Sequence, residues 1–346
     1  MLAEHSLAAL ASPGRGRLAK SMKFDLNKPH DSIFQATLSD GLRSQAVLRA
    51  HLEPWQADLL ADELPVPLDR SFVDEELRSS QSDKLFEVKL KDGQPGFVYA
   101  LLEHKSYPDP GTALQVLKYK VRILEMYAQG RAGRLRALPT VIPLVFYHGV
   151  QPWTAPGSLA EMVATKDERL RALEPSFGYY LRDLRKIPVE RLASDPGARA
   201  GLLALRQAHT GGEEEKLRLL PEVVAGPPDN SEFEKQVLLY LMGIWNVPVR
   251  TLEKVAEQAK PGRGKAVVGQ VVEEIRNRGK AEWLAKGLAK GRAGSLTQLL
   301  EHRFGPLPLA VRTRIAGASM TELDARFMVS LDAQSLSEVF PDLDRD

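Results

Sequence analysis

The chain has 346 residues, enough for one large domain with a good core or for two. Its 43% hydrophobic and 27% charged residues are ordinary for a soluble globular protein, and a net charge of +2 leaves only local charge patches to carry information. Cysteine is absent, which excludes disulfides, thiolate-ligated zinc and cysteine nucleophiles; a cytoplasmic, reducing setting is the expectation.

In chain order, residues 1–27 read as a flexible extension. In MLAEHSLAALASPGRGRLAK the basic residues follow the short apolar run, the reverse of a signal peptide. No stretch approaches the apolar length needed to cross a bilayer. NKPHDSIFQATLSDGLRSQAVLRAHL predicts a helix through Ile33, Phe34, Leu38, Leu42, Ala46 and Val47, with Pro29 in its first turn. PWQADLLADELPVPLDRSFVDEELRSS predicts short helix and loop. DKLFEVKLKDGQPGFVYALLEHKS predicts two strands joined as a hairpin at KDGQPG. Residues 111–128 predict a helix with Leu114, Leu117, Val121, Leu124 and Met126 among its apolar positions. TVIPLVFYHG predicts a strand that is apolar on both faces and central in its sheet. LRDLRKIP adds a further strand, and residues 196–260 predict helices broken at PEVVAGPPDNS. The Gly- and Lys/Arg-rich residues 256–293 predict a linker or hinge helix, and residues 294–342 a small all-α module. This order describes an α/β sandwich with a mixed sheet.

The chemistry concentrates where the second hairpin strand ends. Alternation puts Phe97, Tyr99, Leu101, Glu103 and Lys105 on one face, so an apolar face finishes in a carboxylate and an ammonium. Asp83, just before the first hairpin strand, stands at the same open end. Two converging carboxylates make a hard oxygen site suited to Mg²⁺ or Mn²⁺, and a lysine beside them can hold a water or meet a phosphate. On the following helix Gln115 and Tyr119 share a face, as do Lys118 and Arg122, a polar stripe able to grip a nucleic-acid backbone.

Asp83, Glu103-x-Lys105 and Gln115-x-x-x-Tyr119 resemble the PD-(D/E)xK nuclease superfamily. HDSIFQATLSD, RSFVDEELRSSQSDKLFEV, LLEHKSYPD, ALQVLKYKVRILE and LPTVIPLVFYHGVQPW resemble, more closely, the recombination-promoting nuclease/putative transposase family over about residues 28–240. The C-terminal stretch resembles a small helical domain of unknown function appended to such proteins. The resemblance implies a restriction-endonuclease-like core over 28–255, with a mixed central sheet flanked by helices. It also implies a metal-dependent endonuclease acting on double-stranded DNA in recombination or mobile-element biology. Asp83 and Glu103 would hold Mg²⁺ (or Mn²⁺), and Lys105 would position the attacking water. Asp31 is the candidate acid of the first helix; Gln115 and Tyr119 would support the site, and Lys118, Arg122 and His148 are candidates to meet the DNA backbone. Ser82 stands where the superfamily has proline, while Lys105 matches the superfamily at a position where many relatives carry glutamine. A homo-oligomer is left open, and no membrane partner is expected.

Plainer readings stand beside these. Glu103 and Lys105 could form a surface ion pair, and Gln115 and Tyr119 could be ordinary helix residues. The scaffold could persist in a protein that binds DNA or another protein without cutting. His30-Asp31 also suits a metal phosphohydrolase, but that class needs histidines from other helices, and His51 is the only other one nearby in sequence. A helix cap and turn explains the pair more simply. His148, just after a central strand, is equally suited to a turn histidine bonded to backbone. The basic run over 260–293 is diluted by Glu273, Glu274 and Glu282 and reads as a solvated helix.

Overall fold

The computed structural model describes residues 24–25, 28–68, 83–103, 108–130, 135–165, 167–209 and 212–341. The chain divides into two compact units, Met1–Gly269 and Gln270–Asp346.

The first unit is built on a five-stranded sheet of order β1-β2-β3-β4-β5, made of Val66–Leu68, Lys84–Lys89, Pro95–Glu103, Thr140–Tyr147 and Tyr180–Asp183. The first three strands are antiparallel neighbours, and β3, β4 and β5 run parallel. The hairpin between β2 and β3 closes where expected. Gly93 takes φ of +82° in its turn, a left-handed conformation that glycine adopts without a Cβ penalty. The parallel step from β3 to β4 needs a crossover, which helix α4 (Thr112–Gln129) supplies. β4 is buried on both faces as expected, although β3 holds the middle of the sheet.

Three local expectations change. The helix expected from Pro29 onward is two helices, α1 (Pro29–Thr37) and α2 (Gly41–His51). Asp40 accepts the backbone N–H of Leu42 at 3.0 Å and of Arg43 at 3.1 Å, so it caps a new helix. After α3 (Pro54–Leu59), the short β1 forms where only loop was expected. In α4 the buried stripe is Ala113, Val116, Tyr119, Ile123 and Tyr127, while Leu114 and Val121 are exposed. The apolar face is therefore rotated from the one that the leucines suggested, and Tyr119 lies within it.

One sheet face carries Tyr99, Leu101 and Val145 against α4. The other carries Phe146 against Phe34 of α1, with ring centroids 5.3 Å apart. Beyond a short α5 (Glu168–Arg171), α6 (Pro196–Arg206) crosses α1 closely. A Cβ at Gly201 would collide with Thr37 Oγ1, so this position needs glycine. Helices α7 (Glu213–Ala225), α8 (Glu232–Gly243) and α9 (Val249–Ala259) complete the unit. The break falls after Gly226, and Pro221 stays inside α7. Its cost of about 3 kcal/mol is offset by burying Leu219, Leu220, Val223 and Val224, at about 1.5–3 kcal/mol each.

The boundary between the units lies within the 41-residue helix α10 (Gly264–Phe304). In the second unit α11 (Leu309–Gly317), α12 (Met320–Asp332) and α13 (Leu336–Val339) enclose a core of Leu296, Leu300, Val311, Ile315, Leu323 and Phe340. Among the described residues, no helix is long and apolar enough to cross a membrane.

Candidate active site

Asp83 precedes β2 directly, and the β2–β3 register pairs Leu85 with Tyr99. Opposed residues of an antiparallel pair share a face, so Asp83 falls on the face of Tyr99 and Leu101. The side chains meet there: the Tyr99 hydroxyl donates to Asp83 Oδ2 at 2.5 Å. Asp83 is only 2% exposed, and a carboxylate so deeply buried requires donors of this kind. Helix α4 packs over the same spot. The Tyr119 ring lies 5.3 Å from that of Tyr99, and Gln115 Nε2 donates to the Tyr119 hydroxyl at 3.3 Å. Asp83, Tyr99, Tyr119 and Gln115 thus come from three elements to one patch beneath α4.

Glu103 is the last residue of β3, in parallel register with Tyr147, and its strand position has the parity of Tyr99. Its side chain and all of Lys105 lie outside the described residues, as does Ser82. Lys118 is exposed on α4, and Arg122 forms an ion pair with Glu125 at 2.9 Å. Asp31 is 5% exposed in the first turn of α1, on the opposite face of the sheet from Asp83. His148 departs from expectation. It is 0% exposed, its ring 4.8 Å from that of His30, so it is packed inside the fold instead of standing at a DNA-facing surface.

Residues 28–236 match the family described as "Putative transposase, YhgA-like". The chain belongs to this family. It is 32% identical to recombination-promoting nuclease RpnA of Escherichia coli (strain K12) over 183 residues, 52% of this chain and 60% of RpnA. With recombination-promoting nuclease RpnD of Escherichia coli O157:H7 it shares 30% identity over 190 residues, 54% of this chain and 69% of RpnD. A longer alignment, 23% identical over 303 residues, joins it to the inactive recombination-promoting nuclease-like protein RpnE of strain K12. That alignment spans 85% of this chain and 97% of RpnE. No solved structure matches the chain. The mixed five-stranded sheet flanked by helices, with further helices after it, is the restriction-endonuclease-like PD-(D/E)xK core of the YhgA-like family.

For a YhgA-like chain the donor set at this patch is the relevant test of a metal. Asp83 supplies a carboxylate whose second oxygen is oriented by Tyr99, and β3 ends in a second carboxylate-bearing residue on the same strand parity. Oxygen donors of this type fit Mg²⁺ or Mn²⁺. Tyr99 is the residue that motif reading passed over. Its parity with Glu103 was visible, but a tyrosine between Phe97 and Leu101 reads as core until its hydroxyl is seen to have a partner. Asp183 ends β5 opposite Tyr147, and Arg185 engages it at 2.9 Å, so this carboxylate is tied into an ion pair. His209 had no sequence signal; its ring lies 5.0 Å from His30 and 5.3 Å from His148. Burial, then the charge of Lys216, pushes the His209 pKa down.

Proposed function

We propose that the chain is a divalent-metal-dependent endodeoxyribonuclease acting on double-stranded DNA, in the recombination or mobile-element setting that the names of its relatives carry. The observation that supports this most directly is the buried Asp83 carboxylate held by Tyr99 and roofed by Tyr119 and Gln115. Asp83 and the Gln115-x-x-x-Tyr119 pair, far apart in sequence, are linked there through Tyr99. Asp83 and Glu103 would hold Mg²⁺ or Mn²⁺, which when bound supplies positive charge at the scissile phosphate and acidifies a water. Tyr99 fixes the direction in which Asp83 presents its other oxygen. Lys105, two residues past Glu103, would orient the attacking water and offset charge gathering at phosphorus. Lys118, exposed on α4, would meet a neighbouring phosphate as a point charge.

A second reading is a nuclease-fold protein that binds DNA or another protein without cutting. It is favoured by the relative named inactive, which this chain matches along 97% of that protein's length. One experiment separates the two. Purified protein is incubated with supercoiled plasmid and Mg²⁺ or Mn²⁺, beside Asp83→Ala and Glu103→Ala. Nicked or linear product from wild type alone supports the nuclease. A folded wild type that shifts DNA in a gel but leaves it intact with every divalent ion supports the binding module.

A further inference from the structure

His30, His148 and His209 come from the first turn of α1, the residue after β4 and the turn after α6. Each offers a ring nitrogen, and these nitrogens all lie within 4.8 Å of one another. The rings of His148 and His209 stack at 17°. His30 Nδ1 shares a hydrogen bond of 2.7 Å with the hydroxyl of Tyr240, a residue fully buried in α8. A metal-binding imidazole is commonly held through its second nitrogen in this way, which fixes the ring and leaves the other nitrogen for the ion. His148 is fully buried, His30 half-buried and His209 exposed. The group is thus anchored in the fold on one side and open to solvent on the other.

We propose that His30, His148 and His209 form a binding site for a borderline divalent transition ion, with Zn²⁺ as the probe. Imidazole suits zinc, nickel and copper, whereas Mg²⁺ and Ca²⁺ prefer oxygen donors. A tetrahedral ion with bonds of about 2.0–2.1 Å sets its nitrogens about 3.4 Å apart. The widest pair therefore has to close by about 1.4 Å, and His209, exposed after the end of α6, is the ligand placed to move. Three protein ligands leave a fourth position beside His209 for a water or small anion. The ion would tie the start of α1 to the end of β4 and the end of α6. The site lies across the sheet from Asp83 and does not depend on the nuclease reading.

The test is calorimetric titration of tag-free, metal-stripped full-length protein with Zn²⁺ in a large excess of Mg²⁺, paired with thermal melts. One zinc per chain and a raised Tm are expected. His209→Ala removes an exposed ligand without opening the core and should lose the tight binding and the Tm shift. Tyr240→Phe should weaken binding by about 10–100-fold with stoichiometry kept, and Asp83→Ala should bind zinc like wild type. The proposal is overturned if wild type binds no zinc under these conditions, if His209→Ala binds it unchanged, or if Asp83→Ala is the variant that loses it.

Discussion

Tyr99→Phe tests the candidate active site at its best-defined contact. The substitution deletes one oxygen and keeps the ring that packs 5.3 Å from Tyr119, so the core beneath α4 stays filled. What is lost is the 2.5 Å donor to the buried Asp83 carboxylate. A hydrogen bond to a charged group contributes about 1.5–3 kcal/mol, and that bond also fixes the carboxylate's orientation. If all of it is felt in metal binding, the dissociation constant rises about 10–150-fold, the range usual for groups that orient a metal ligand. The assay is Mn²⁺ titration by calorimetry on wild type and variant, with single-turnover plasmid cleavage across metal concentrations. Cleavage should recover largely at saturating metal, because Tyr99 positions Asp83 and does not touch the substrate. The melting temperature serves as the control for folding. A folded Tyr99→Phe with metal affinity within twofold of wild type would refute the assignment of Asp83 as an ion ligand oriented by Tyr99.

Other outcomes are expected elsewhere. Lys105→Ala should cut turnover steeply while metal affinity holds or improves, and Lys105→Gln should keep partial activity because an amide can still hydrogen-bond a water; single-turnover rates on both, equal to wild type, would reduce Lys105 to an ion-pair partner. His51 is buried against Phe146 with Nε2 donating to the Leu192 carbonyl at 2.9 Å, and burial pushes its pKa down to about 4. The unfolded chain takes up that proton first, so stability should fall as pH drops from about 6.5 to about 4, by about 3 kcal/mol at most. Urea melts at pH 7 and 4.5 read this, and His51→Gln, which can still donate to Leu192, should remove that share of the acid loss; an unchanged loss places the proton on another group. A chain ending at Lys280 should remain folded and soluble, since the second unit has its own core around Leu300 and Ile315; aggregation of that truncation would show that the later helices complete the first unit.

The legible parts of the sequence were those set by short-range rules. The hairpin announces itself through two apolar runs and a glycine turn, and β4 through an unbroken apolar run. Parity along β3 put Glu103 on the face of Tyr99, and the hairpin put Asp83 at the same open end; the face of Asp83 came only with the strand register. Helix α4 was visible but its phase was not. Its leucine and valine at 114 and 121 face outward, while Tyr119 and Tyr127 take buried places. A hydrophobicity reading ranks leucine above tyrosine, yet a tyrosine in a core keeps its hydroxyl satisfied, as Gln115 does for Tyr119. The break at Asp40 was written in the sequence as a capping residue, but the apolar spacing running through it hid the signal. His148 and His209 could not be joined to His30 by any local rule, because their meeting depends on how α1 and α6 close over β4.

The meeting of two donor chemistries at one end of the sheet follows from strand geometry. Successive residues of a strand point to opposite faces. At the end of β4, Tyr147 therefore belongs to the face of Val145 and α4, packing 4.9 Å from Trp153. His148, one residue on, is delivered to the face of Phe146 and α1, where His30 and His209 close around it. Asp83 meets Tyr99 on the first face, under α4, and Glu103 ends β3 with the strand parity of Tyr99, while the nitrogen donors lie under α1. On the two proposals, hard ions would go to the first set and borderline ions to the second. Ion identity alone would then address the two faces separately, with no change of fold. A one-residue slip of β4 would exchange Tyr147 for His148 and turn an imidazole toward the face of Asp83, mixing the two proposed donor sets. The eight-residue parallel register from Gly96↔Thr140 to Glu103↔Tyr147, with both faces of β4 buried, is what holds that slip off.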